Sequence, residues 1–260
     1  MTTSVILTIN NRSPEVSKRV AQSLRLPGNE SDEVVVVLDR ASDDVKEGAY
    51  EAYGPDTRYV HVEGEPGWRG PARAWNRGFD AAGGDLFYCI SSEVVQDAGN
   101  VEKAKAHFWD GSPPWSAPVS MNKVVFGACH NSEPVDLIVG AEPGLLVSSK
   151  MPRPLGFIAC MPALAVRQIG GFDEGFMNGF WYDDDDFYLR LWRTGLDFVF
   201  DDSIHGTHIH HERPSLETAA GQAGIQRNQA FMLRKHGSLR PPLNHKSESP
   251  GEGRLIWRHI

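Results

Sequence analysis

The sequence lacks the features that mark membrane-spanning, exported or disulfide-bonded proteins. It contains no run of 18 apolar residues, so no transmembrane helix is predicted. Its first segment, MTTSVILTINNR, has no basic start followed by a long apolar stretch, so it is typical of a strand and not of a signal peptide. Three cysteines, Cys89, Cys129 and Cys160, are widely spaced among apolar residues, without a CxxC pair. We therefore expect reduced core thiols in a cytoplasmic protein.

Two glycine motifs that bind phosphate are also missing. No GxGxxG follows a predicted strand, which argues against a Rossmann dehydrogenase. The segment TINNRSPE, after the first predicted strand, contains no glycine. A sugar-nucleotide nucleotidylyltransferase needs a glycine-rich, basic phosphate loop at that place, so this class is disfavoured too.

Positive charge is scarce in most of the chain. The net charge is −8, but eight lysines and arginines against three glutamates give +5 from Arg213 onward, which leaves −13 for residues 1–212. An acidic body argues against general affinity for nucleic acid. The basic C-terminal segment leaves a polyanionic partner or an anionic membrane surface open.

The first 95 residues alternate between buried strands and amphipathic helices. The pattern predicts strands over 4–10, 32–39, 58–64 and 85–95, and helices over 13–26 and 70–84. This alternation predicts a doubly wound α/β sheet with helices on both faces, in which ligands bind at the carboxyl ends of the strands. The polar residues at those ends are Asn10, Asn11, Asp39 and residues 91–93.

The rest of the chain is less regular. Pro, Gly and Ser are frequent over 110–155, where short strands are predicted at 117–121 and 136–140. A strand over 197–202 and a terminal helix that ends at Gly237 follow, and the last residues are typical of a loosely packed tail. We expect one domain over 1–212, with halves at 1–95 and 96–212, and a C-terminal helix and basic tail over 213–260.

Four consecutive aspartates stand in the segment GFWYDDDDFYLRLWRTG (179–195). Acids favour the first turn of a helix because the macrodipole and the free N–H groups stabilise negative charge, and this explains one or two of them. Four adjacent acids repel one another, a cost that is tolerated where a cation or a proton transfer needs them. Their repulsion raises the pKa values of the group, which suits a base, while helix capping is the plainer explanation for any single one.

Four histidines crowd the segment HGTHIHH (205–211). A lone histidine is more often structural, but four within seven residues favour a metal or diphosphate contact for at least one of them. Alternation along a strand would place His208 and His210 on one face. Carboxylate and imidazole ligands suit Mn²⁺ or Mg²⁺ when diphosphate oxygens complete the coordination.

In the order of its elements and in several motifs, the chain resembles a GT-A glycosyltransferase of family 2 from Ser4 to about His211. These enzymes move a sugar from a nucleotide donor to an acceptor hydroxyl with inversion. The similar segments are SVILTINNR beside the family's VVIPTYNR, AWNRG beside ARNxG, IGGFDEGF before the catalytic helix, and YDDDDFYLRLWRTG beside YEDxDLxLRLRRxG.

The resemblance implies a role for each residue of the aspartate helix. Asp184 would be the general base, with Asp183 beside it, while Asp186 and Arg190 match structural positions. His208, 24 residues after Asp184, falls where the family often has a metal-binding histidine. From the residues alone, Asp183 and Asp184 are not separated.

The metal motif departs from the family. An Asp-x-Asp should follow the fourth strand, where this chain has ISSEV (90–94). Ser91 takes the place of the first aspartate and Glu93 that of the second, which is usually the direct metal ligand. Glu93 and His208 are therefore the predicted ligands of Mn²⁺ or Mg²⁺, in a site weaker than normal or metal-free.

Further contacts are implied for the donor and the acceptor. Asp39, the retained member of an acid pair, would accept hydrogen bonds from uracil or ribose. Trp181 and Tyr182 would form a stacking wall for the acceptor or sugar, with core packing as the alternative. The remaining predicted donor and diphosphate contacts are Asn10, Arg73, Asn76, Ser92 and Arg69.

Together these residues predict an inverting transferase that uses a nucleotide sugar, with UDP as the expected nucleotide. A polysaccharide or other glycan, a glycolipid, a protein and a hydroxylated nucleobase in nucleic acid all remain as acceptors. Two other functions stay open. A degenerate GT-A fold would bind a nucleotide or glycan without turnover, and a metal-dependent hydrolase would release free sugar or phosphate without an acceptor.

Overall fold

The computed structural model describes residues 1–64, 70–109, 120–133, 144–211, 218–239, 241 and 243–259. Its first half alternates strands with helices, as predicted. The elements are β1 (Thr3–Ile9), α1 (Pro14–Ser23), β2 (Glu33–Asp39), α2 (Asp43–Tyr53), β3 (Arg58–Val62), α3 (Ala72–Ala81), β4 (Leu86–Ile90) and β5 (Val94–Gln96).

The second half contains longer strands and the aspartate helix. Its elements are α4 (Asn100–Ala106), β6 (Lys123–Asn131), β7 (Leu145–Val147), β8 (Ile158–Pro162), α5 (Ala163–Gln168), a 3-10 turn (Glu174–Phe176), α6 (Asp183–Trp192), β9 (Asp197–His208), α7 (Ala219–His236), β10 (His245–Gly251) and β11 (Arg254–His259). The predicted strand at 136–140 and most of the one at 117–121 lie outside the described residues.

Within the described ranges, the strands form one mixed sheet in the order β10-β11-β9-β6-β8-β4-β1-β2-β3, with β5 attached to β9 and β7 to β6. The strands β4, β1, β2 and β3 run parallel. β8 is antiparallel to both β4 and β6. The predicted α/β class is therefore confirmed, with parallel strands in the first half and mixed pairing in the second.

Side chains of β2 alternate between two apolar cores. Val35 and Val37 pack in the cluster that contains Phe79 of α3, whereas Val36 packs in the cluster that contains Val20 of α1. All three valines are fully buried. This is the covering on both faces that an unbroken β-branched run predicts.

α3 lies close against the sheet because its Gly78 has no side chain. A Cβ at Gly78 would lie 2.7 Å from Cγ2 of Ile6 and 3.1 Å from Cγ2 of Val37. The first distance is shorter than a carbon contact allows, so a larger residue would push the helix outward. The glycine of the AWNRG segment therefore sets the distance between helix and sheet.

The helix α2 was missed in the sequence prediction. The segment between β2 and β3 reads as a short polar connection, yet residues Asp43–Tyr53 form α2. Two acids lie in its first turn, and Gly54, with a φ of 83°, ends it. These signals mark both ends of the helix although its apolar pattern is weak. Val45 and Tyr53 are enough to bury one face of it.

The C-terminal residues are more ordered than the predicted loose tail. β11 pairs antiparallel with β9, from Arg254 opposite Asp201 to Trp257 opposite Phe198. The Trp257 ring lies 4.9 Å from that of Phe200. The prediction of a loosely packed tail is wrong because one tryptophan and a strand pairing, both long-range, attach the segment to the sheet.

The three cysteines are buried and unpaired, as predicted. Burial raises the pKa of the Cys129 thiol to about 12 and raises the pKa of Cys89 and Cys160 as well. They are therefore inert core thiols. Among the helices of the described residues, none is long and apolar enough to cross a membrane.

A buried ion cluster joins α6 to α7. Asp186 has no exposed surface and accepts from Arg190 at 2.7 Å, Lys235 at 2.6 Å and His236 at 2.7 Å. Burial disfavours its charged form, but the hydrogen bonds from Lys235 and His236 and the charge of Arg190 outweigh it and lower the pKa of Asp186. Asp186 and Arg190 therefore have the structural role that the family resemblance implies.

Asp186→Asn is expected to lower the free energy of unfolding by about 3–5 kcal/mol, because it leaves buried cations without their carboxylate. Urea unfolding at neutral pH measures this. Since the folded pKa is lowered, the stabilisation is present above the unfolded pKa of about 3.9 and is lost as pH falls further. The loss in the variant should therefore shrink below about pH 4.

The exposed neighbour Asp185 provides the control. Asp185→Asn should change the free energy of unfolding by less than about 0.5 kcal/mol. An equal loss in the two variants would contradict a specific role for the buried cluster.

Candidate active site

The carboxyl ends of β1, β2 and β4 meet at one edge of the sheet and bring predicted donor residues together. Asn10 follows β1, and its side-chain Nδ2 donates to the carbonyl of Asp39, the last residue of β2, at 2.7 Å. Ser91 follows β4, the other neighbour of β1. The predicted grouping of these polar residues follows directly from the parallel pairing.

A tight turn and a strand pairing position Glu93. The N–H of Val94 donates to the carbonyl of Ser91 at 3.0 Å, which closes a turn directly after β4. β5 then pairs with β9, with Val94 opposite His208, and the N–H of Ile209 donates to the carbonyl of Glu93 at 2.8 Å. The sheet itself therefore holds Glu93 beside the end of the histidine strand.

Glu93 is 6 % exposed, and hydrogen-bond donors surround its carboxylate. The hydroxyls of Ser91 and Ser92 lie 2.6 Å and 3.2 Å from Oε2. Oε1 is contacted by His211 at 3.1 Å and by the Arg12 guanidinium. Burial disfavours the charge, but His211, Arg12 and Ser91 outweigh it and hold the pKa of Glu93 far below its usual range. The buried carboxylate is therefore ionised.

Glu93, His208 and His211 form a group suited to a metal ion. One ligand atom from each lies within 4.8 Å of the others. Nδ1 of His208 lies 2.9 Å from the amide oxygen of Asn131. In the tautomer that donates from Nδ1 to this oxygen, Nε2 is the nitrogen available to a metal. One hard carboxylate oxygen and two borderline imidazole nitrogens suit a first-row divalent ion, Mn²⁺ among them, with open positions for diphosphate oxygens.

The structure corrects the expected pairing of His208 with His210. β9 ends at His208, so strand alternation stops there, and His211 reaches Glu93 instead. His210 lies 3.9 Å from Glu133. His205 bonds to Asp97 at 2.8 Å, away from the Glu93 group. A backbone that leaves the strand after His208 explains why the period of two fails.

Asp39 is buried and held by its neighbour. Nε and Nη2 of Arg40 donate to the two carboxylate oxygens of Asp39 at 2.8 Å and 2.6 Å. Arg40 has a φ of 50°, which is unusual for a residue other than glycine. The carboxylate lies at the predicted edge, and its contact with uracil or ribose stays a prediction that requires a shared or displaced Arg40.

The four aspartates have different surroundings. The carboxylate of Asp183 lies in the first turn of α6, where the N–H groups of Asp183 and Asp184 stabilise its charge. Asp184 instead accepts from the N–H of Gly156, and a Cβ at Gly156 would lie 3.3 Å from its Oδ1. Asp185 is exposed, and Asp186 belongs to the ion cluster. Asp184 is therefore the aspartate for which a contact with Gly156 is seen.

Both Asp183 and Asp184 have raised pKa values. For Asp184 the causes are burial, followed by repulsion from Asp183 and Asp185, and the N–H of Gly156 opposes them. For Asp183 burial is again the largest cause, opposed by the backbone N–H groups of the first turn. This is the expected result for crowded acids, and Asp184 is the more strongly raised.

Residues Gly156 and Phe157 connect the aspartates to the Glu93 group. They precede β8, and the carbonyl of Phe157 accepts from the N–H of Ser91 at 3.0 Å. The ring of Phe157 lies 5.5 Å from that of His208. Asp184 contacts this two-residue segment at Gly156, so the carboxylate and the metal group lie next to the same short segment.

Trp181 and Tyr182 adopt an uncommon backbone before the aspartates. Their φ values are 64° and 70°, and two successive left-handed residues are strained. Asn228 of α7, which is 1 % exposed, donates to the carbonyl of Trp181 at 2.9 Å and to that of Phe176 at 3.0 Å. The result is an indole that is 54 % exposed beside the aspartates, while Tyr182 packs partly in the core.

Asn76 and Arg73 bind protein groups. The Asn76 side chain accepts from the N–H of Phe172 at 2.8 Å and donates to its carbonyl at 3.0 Å. Nε of Arg73 donates to Glu174 at 3.0 Å. Both residues thus hold α3 against the IGGFDEGF segment, and their contact with a donor stays a prediction. Arg69 lies outside the described residues.

Sequence reasoning singled out none of four residues of this site, although it placed His211 in the histidine segment expected to contact a metal or a diphosphate. They are Arg12 and His211, which contact Glu93, Gly156, which contacts Asp184, and Asn228, which supports the strained turn. Arg12 has a signal in the sequence, since a basic residue follows the first strand at the ligand-binding edge. The others depend on contacts between distant segments.

Comparison with known proteins agrees with this geometry. The sequence model described as Glycosyl transferase family 2 matches residues 4–110, which is less than half of the chain. A pre-mycofactocin glycosyltransferase of Mycobacterium tuberculosis is 28 % identical over 214 residues, or 80 % of this chain, and is found in two strains. That match covers 42 % of the relative, so the chain spans about two fifths of the curated relatives it matches.

Solved structures share the fold. GalNAc-T7 with UDP, GalNAc and Mn²⁺ has a TM-score of 0.63 at 13 % identity and covers 90 % of this chain and 48 % of its own. S. aureus TarS with UDP-GlcNAc has a TM-score of 0.61 at 16 % identity, and the match covers 90 % of this chain and 67 % of TarS. PcManGT from Pyrobaculum calidifontis with GDP-Man and Mn²⁺ has a TM-score of 0.57 at 16 % identity, and the match covers 90 % of this chain and 64 % of PcManGT. The predicted resemblance to a family 2 glycosyltransferase with the GT-A fold is confirmed.

Little Mn²⁺ is expected to bind the free protein, because Ser91 supplies no charge, and more should bind once a nucleoside diphosphate adds its own oxygens. Glu93→Gln and His208→Ala should each abolish this nucleotide-dependent binding, and Ser91→Asp should strengthen it. Electron paramagnetic resonance of free Mn²⁺, with and without UDP, measures the change.

His210→Ala is the matched control, because His210 is half-exposed and outside the metal group. It should bind Mn²⁺ as the unaltered protein does. Retained binding in Glu93→Gln would contradict the assignment. A transferase activity unaffected by excess chelator would show that protein cations alone carry the leaving-group charge.

Proposed function

We propose that this chain, a GT-A fold protein similar to family 2 glycosyltransferases, transfers a sugar from a nucleoside diphosphate donor to an acceptor hydroxyl with inversion. The observation that carries the proposal is the placement of two unlike carboxylates beside one segment. Asp184 contacts Gly156, while Glu93 follows Ser91, which is bonded to Phe157. Inversion needs a base on one side of the sugar and charge neutralisation on the other.

The donor end of the proposed site is the Glu93 group with Asn10 and Asp39. When bound, Mn²⁺ or Mg²⁺ would neutralise the charge that develops on the diphosphate, held by Glu93, His208 and His211. Ser92, 6 % exposed, keeps the Glu93 carboxylate oriented through its hydroxyl. UDP is the proposed nucleotide because Asp39 matches the uracil-binding acid of the family. Two of the compared structures, GalNAc-T7 and TarS, hold UDP or a UDP-sugar.

Asp184 is the proposed general base. Its raised pKa gives it more affinity for a proton than an ordinary aspartate has, and the N–H of Gly156 orients it. The charge of Asp183 is stabilised by the N–H groups of the first turn of α6, which supports a secondary role for it. The proton of the acceptor hydroxyl would pass to Asp184 as the hydroxyl oxygen attacks the anomeric carbon and the nucleoside diphosphate leaves.

The acceptor is proposed to lie against the exposed indole of Trp181, next to the aspartates. Aromatic faces stack on the apolar faces of sugar rings and on other flat groups. A glycan, a glycolipid and another hydroxyl compound all suit this surface. The M. tuberculosis relative is named for pre-mycofactocin, so this compound belongs in the acceptor panel.

A binding protein without turnover is the second candidate function. It is favoured by Ser91 in place of an acid and by the contact of Arg12 with Glu93, both of which reduce the negative charge available to a metal. Donor hydrolysis or transfer in an acceptor screen would exclude it. Free sugar released equally with and without acceptor would favour a hydrolase.

Binding of a nucleotide sugar is the first test of the proposal. Isothermal titration with UDP-glucose, UDP-GlcNAc, UDP-galactose and GDP-mannose, each with Mn²⁺, should give binding for at least one donor, because the sheet edge concentrates Asn10, Asp39 and Glu93. Asp39→Asn should weaken that binding more than Asp43→Asn, a change in the exposed first turn of α2. Absence of binding for every donor would refute the function.

Asp184→Asn should reduce transfer by about 10²- to 10⁴-fold while donor binding persists, because the amide cannot accept the proton. Asp183→Asn should reduce it less. In the unaltered protein, activity should rise with pH through the raised pKa of Asp184. Turnover near the normal rate in Asp184→Asn would remove the assignment.

The same variant should alter stability in the opposite direction. A carboxyl whose pKa is higher in the folded state than in the unfolded state destabilises the folded protein once it ionises. The stability is lost as pH rises from the unfolded pKa, about 3.9, through the folded pKa. The neutral amide that replaces the carboxyl carries no such penalty. Asp184→Asn should therefore have a higher Tm than the unaltered protein at pH 7 and a similar one below pH 4, measured by thermal unfolding.

A further inference from the structure

Arg12 has an unusual position beside the metal group. It lies in the loop between β1 and α1, and its Nη2 contacts Oε1 of Glu93, the oxygen that His211 also contacts. The side chain is 24 % exposed, and Nη1 donates to the carbonyl of Asn11 at 3.0 Å. Among the described residues its buried Nε has no hydrogen-bond partner.

This contact conflicts with a bound cation. A divalent ion coordinated by Oε1 would lie about 2.0–2.2 Å from that oxygen. The guanidinium, which touches the same oxygen, would then be only a few ångströms from the ion and strongly repelled. Arg12 and the ion therefore compete for Glu93.

The unpaired Nε indicates where Arg12 goes when it leaves Glu93. A buried donor without a partner is costly, and a guanidinium binds phosphate through two parallel N–H groups. The loop of Arg12 also precedes α1, whose N-terminal N–H groups favour anions. A diphosphate near Glu93 would satisfy both the Nε–H and the charge of Arg12.

We propose that Arg12 is a built-in cation that holds Glu93 in the absence of a divalent ion and transfers to the donor diphosphate when ion and nucleotide bind together. The inference rests on the proposed function for the identity of the diphosphate. The exchange makes binding of the ion and the nucleotide cooperative, because each relieves the cost that Arg12 imposes on the other. It is also a second reason to expect weak metal binding by the free protein.

Arg12→Gln tests this exchange without measuring activity. Mn²⁺ alone should bind the variant at least about fivefold more tightly than the unaltered protein, because the competitor is gone. UDP in the presence of Mn²⁺ should bind at least about fivefold more weakly, because a phosphate ligand is gone. The ratio of Mn²⁺ affinities with and without UDP should fall, and the coupling that remains should be the part supplied by direct coordination of Mn²⁺ by the diphosphate oxygens.

Two further variants make the result specific. Arg19→Gln removes an exposed positive charge from α1 and should leave all three quantities unchanged. Arg12→Lys keeps the charge but not the planar fork, so Mn²⁺ alone should still bind weakly while the coupling falls. If Arg12→Gln does not fold, judged by its thermal transition, Arg12→Lys gives the decisive measurement of coupling.

The outcomes separate this inference from the proposed function. Mn²⁺ binding to Arg12→Gln no tighter than to the unaltered protein, or full coupling in both Arg12 variants, would overturn the role of Arg12. Failure of the unaltered protein to bind UDP or any nucleotide sugar would overturn the proposed function. In that case the Mn²⁺ measurement alone still decides whether Arg12 competes for Glu93.

Discussion

The antiparallel pairing of β4 with β8 is the constraint on which the site depends. Five residue pairs, from Leu86 opposite Pro162 to Ile90 opposite Ile158, join the parallel half of the sheet to the mixed half. The pairing continues into the loop, where Ser91 bonds to Phe157. Glu93 follows β4, and Gly156, which contacts Asp184, precedes β8. The pairing of β4 with β8 therefore holds both carboxylates at the same edge of the sheet.

The two carboxylates then differ because their neighbours differ. Glu93 is buried among hydroxyls, an imidazole and a guanidinium, which lower its pKa, whereas Asp184 is crowded by other acids and has one N–H donor, which leaves its pKa raised. Environments that drive two acids apart in pKa also divide their roles. Glu93, which stays ionised, suits binding of a metal ion or of the Arg12 guanidinium. Asp184, which holds a proton more readily, suits proton transfer.

Sequence patterns predicted those features that depend on neighbours along the chain. The β-branched run of β2 and the Pro14 start of α1 are local signals, and both elements formed where expected. Resemblance added the order of the motifs, including the histidine that lies beside Glu93. The failures are long-range: His211 replaces His210 because the chain leaves β9, and the final strand forms because Trp257 reaches Phe200.

The proposed acceptor surface depends on α7, an element that lies more than a hundred residues beyond the end of the family match at residues 4–110. α7 holds the strained Trp181 through Asn228 and holds the aspartate helix through Lys235 and Asp186. Strain of this kind persists only where surrounding contacts determine it. The exposed indole and the orientation of the aspartate helix are therefore set by contacts with α7 and not by the strands of the donor half. In the proposed function, acceptor choice would accordingly depend on the interface between α6 and α7.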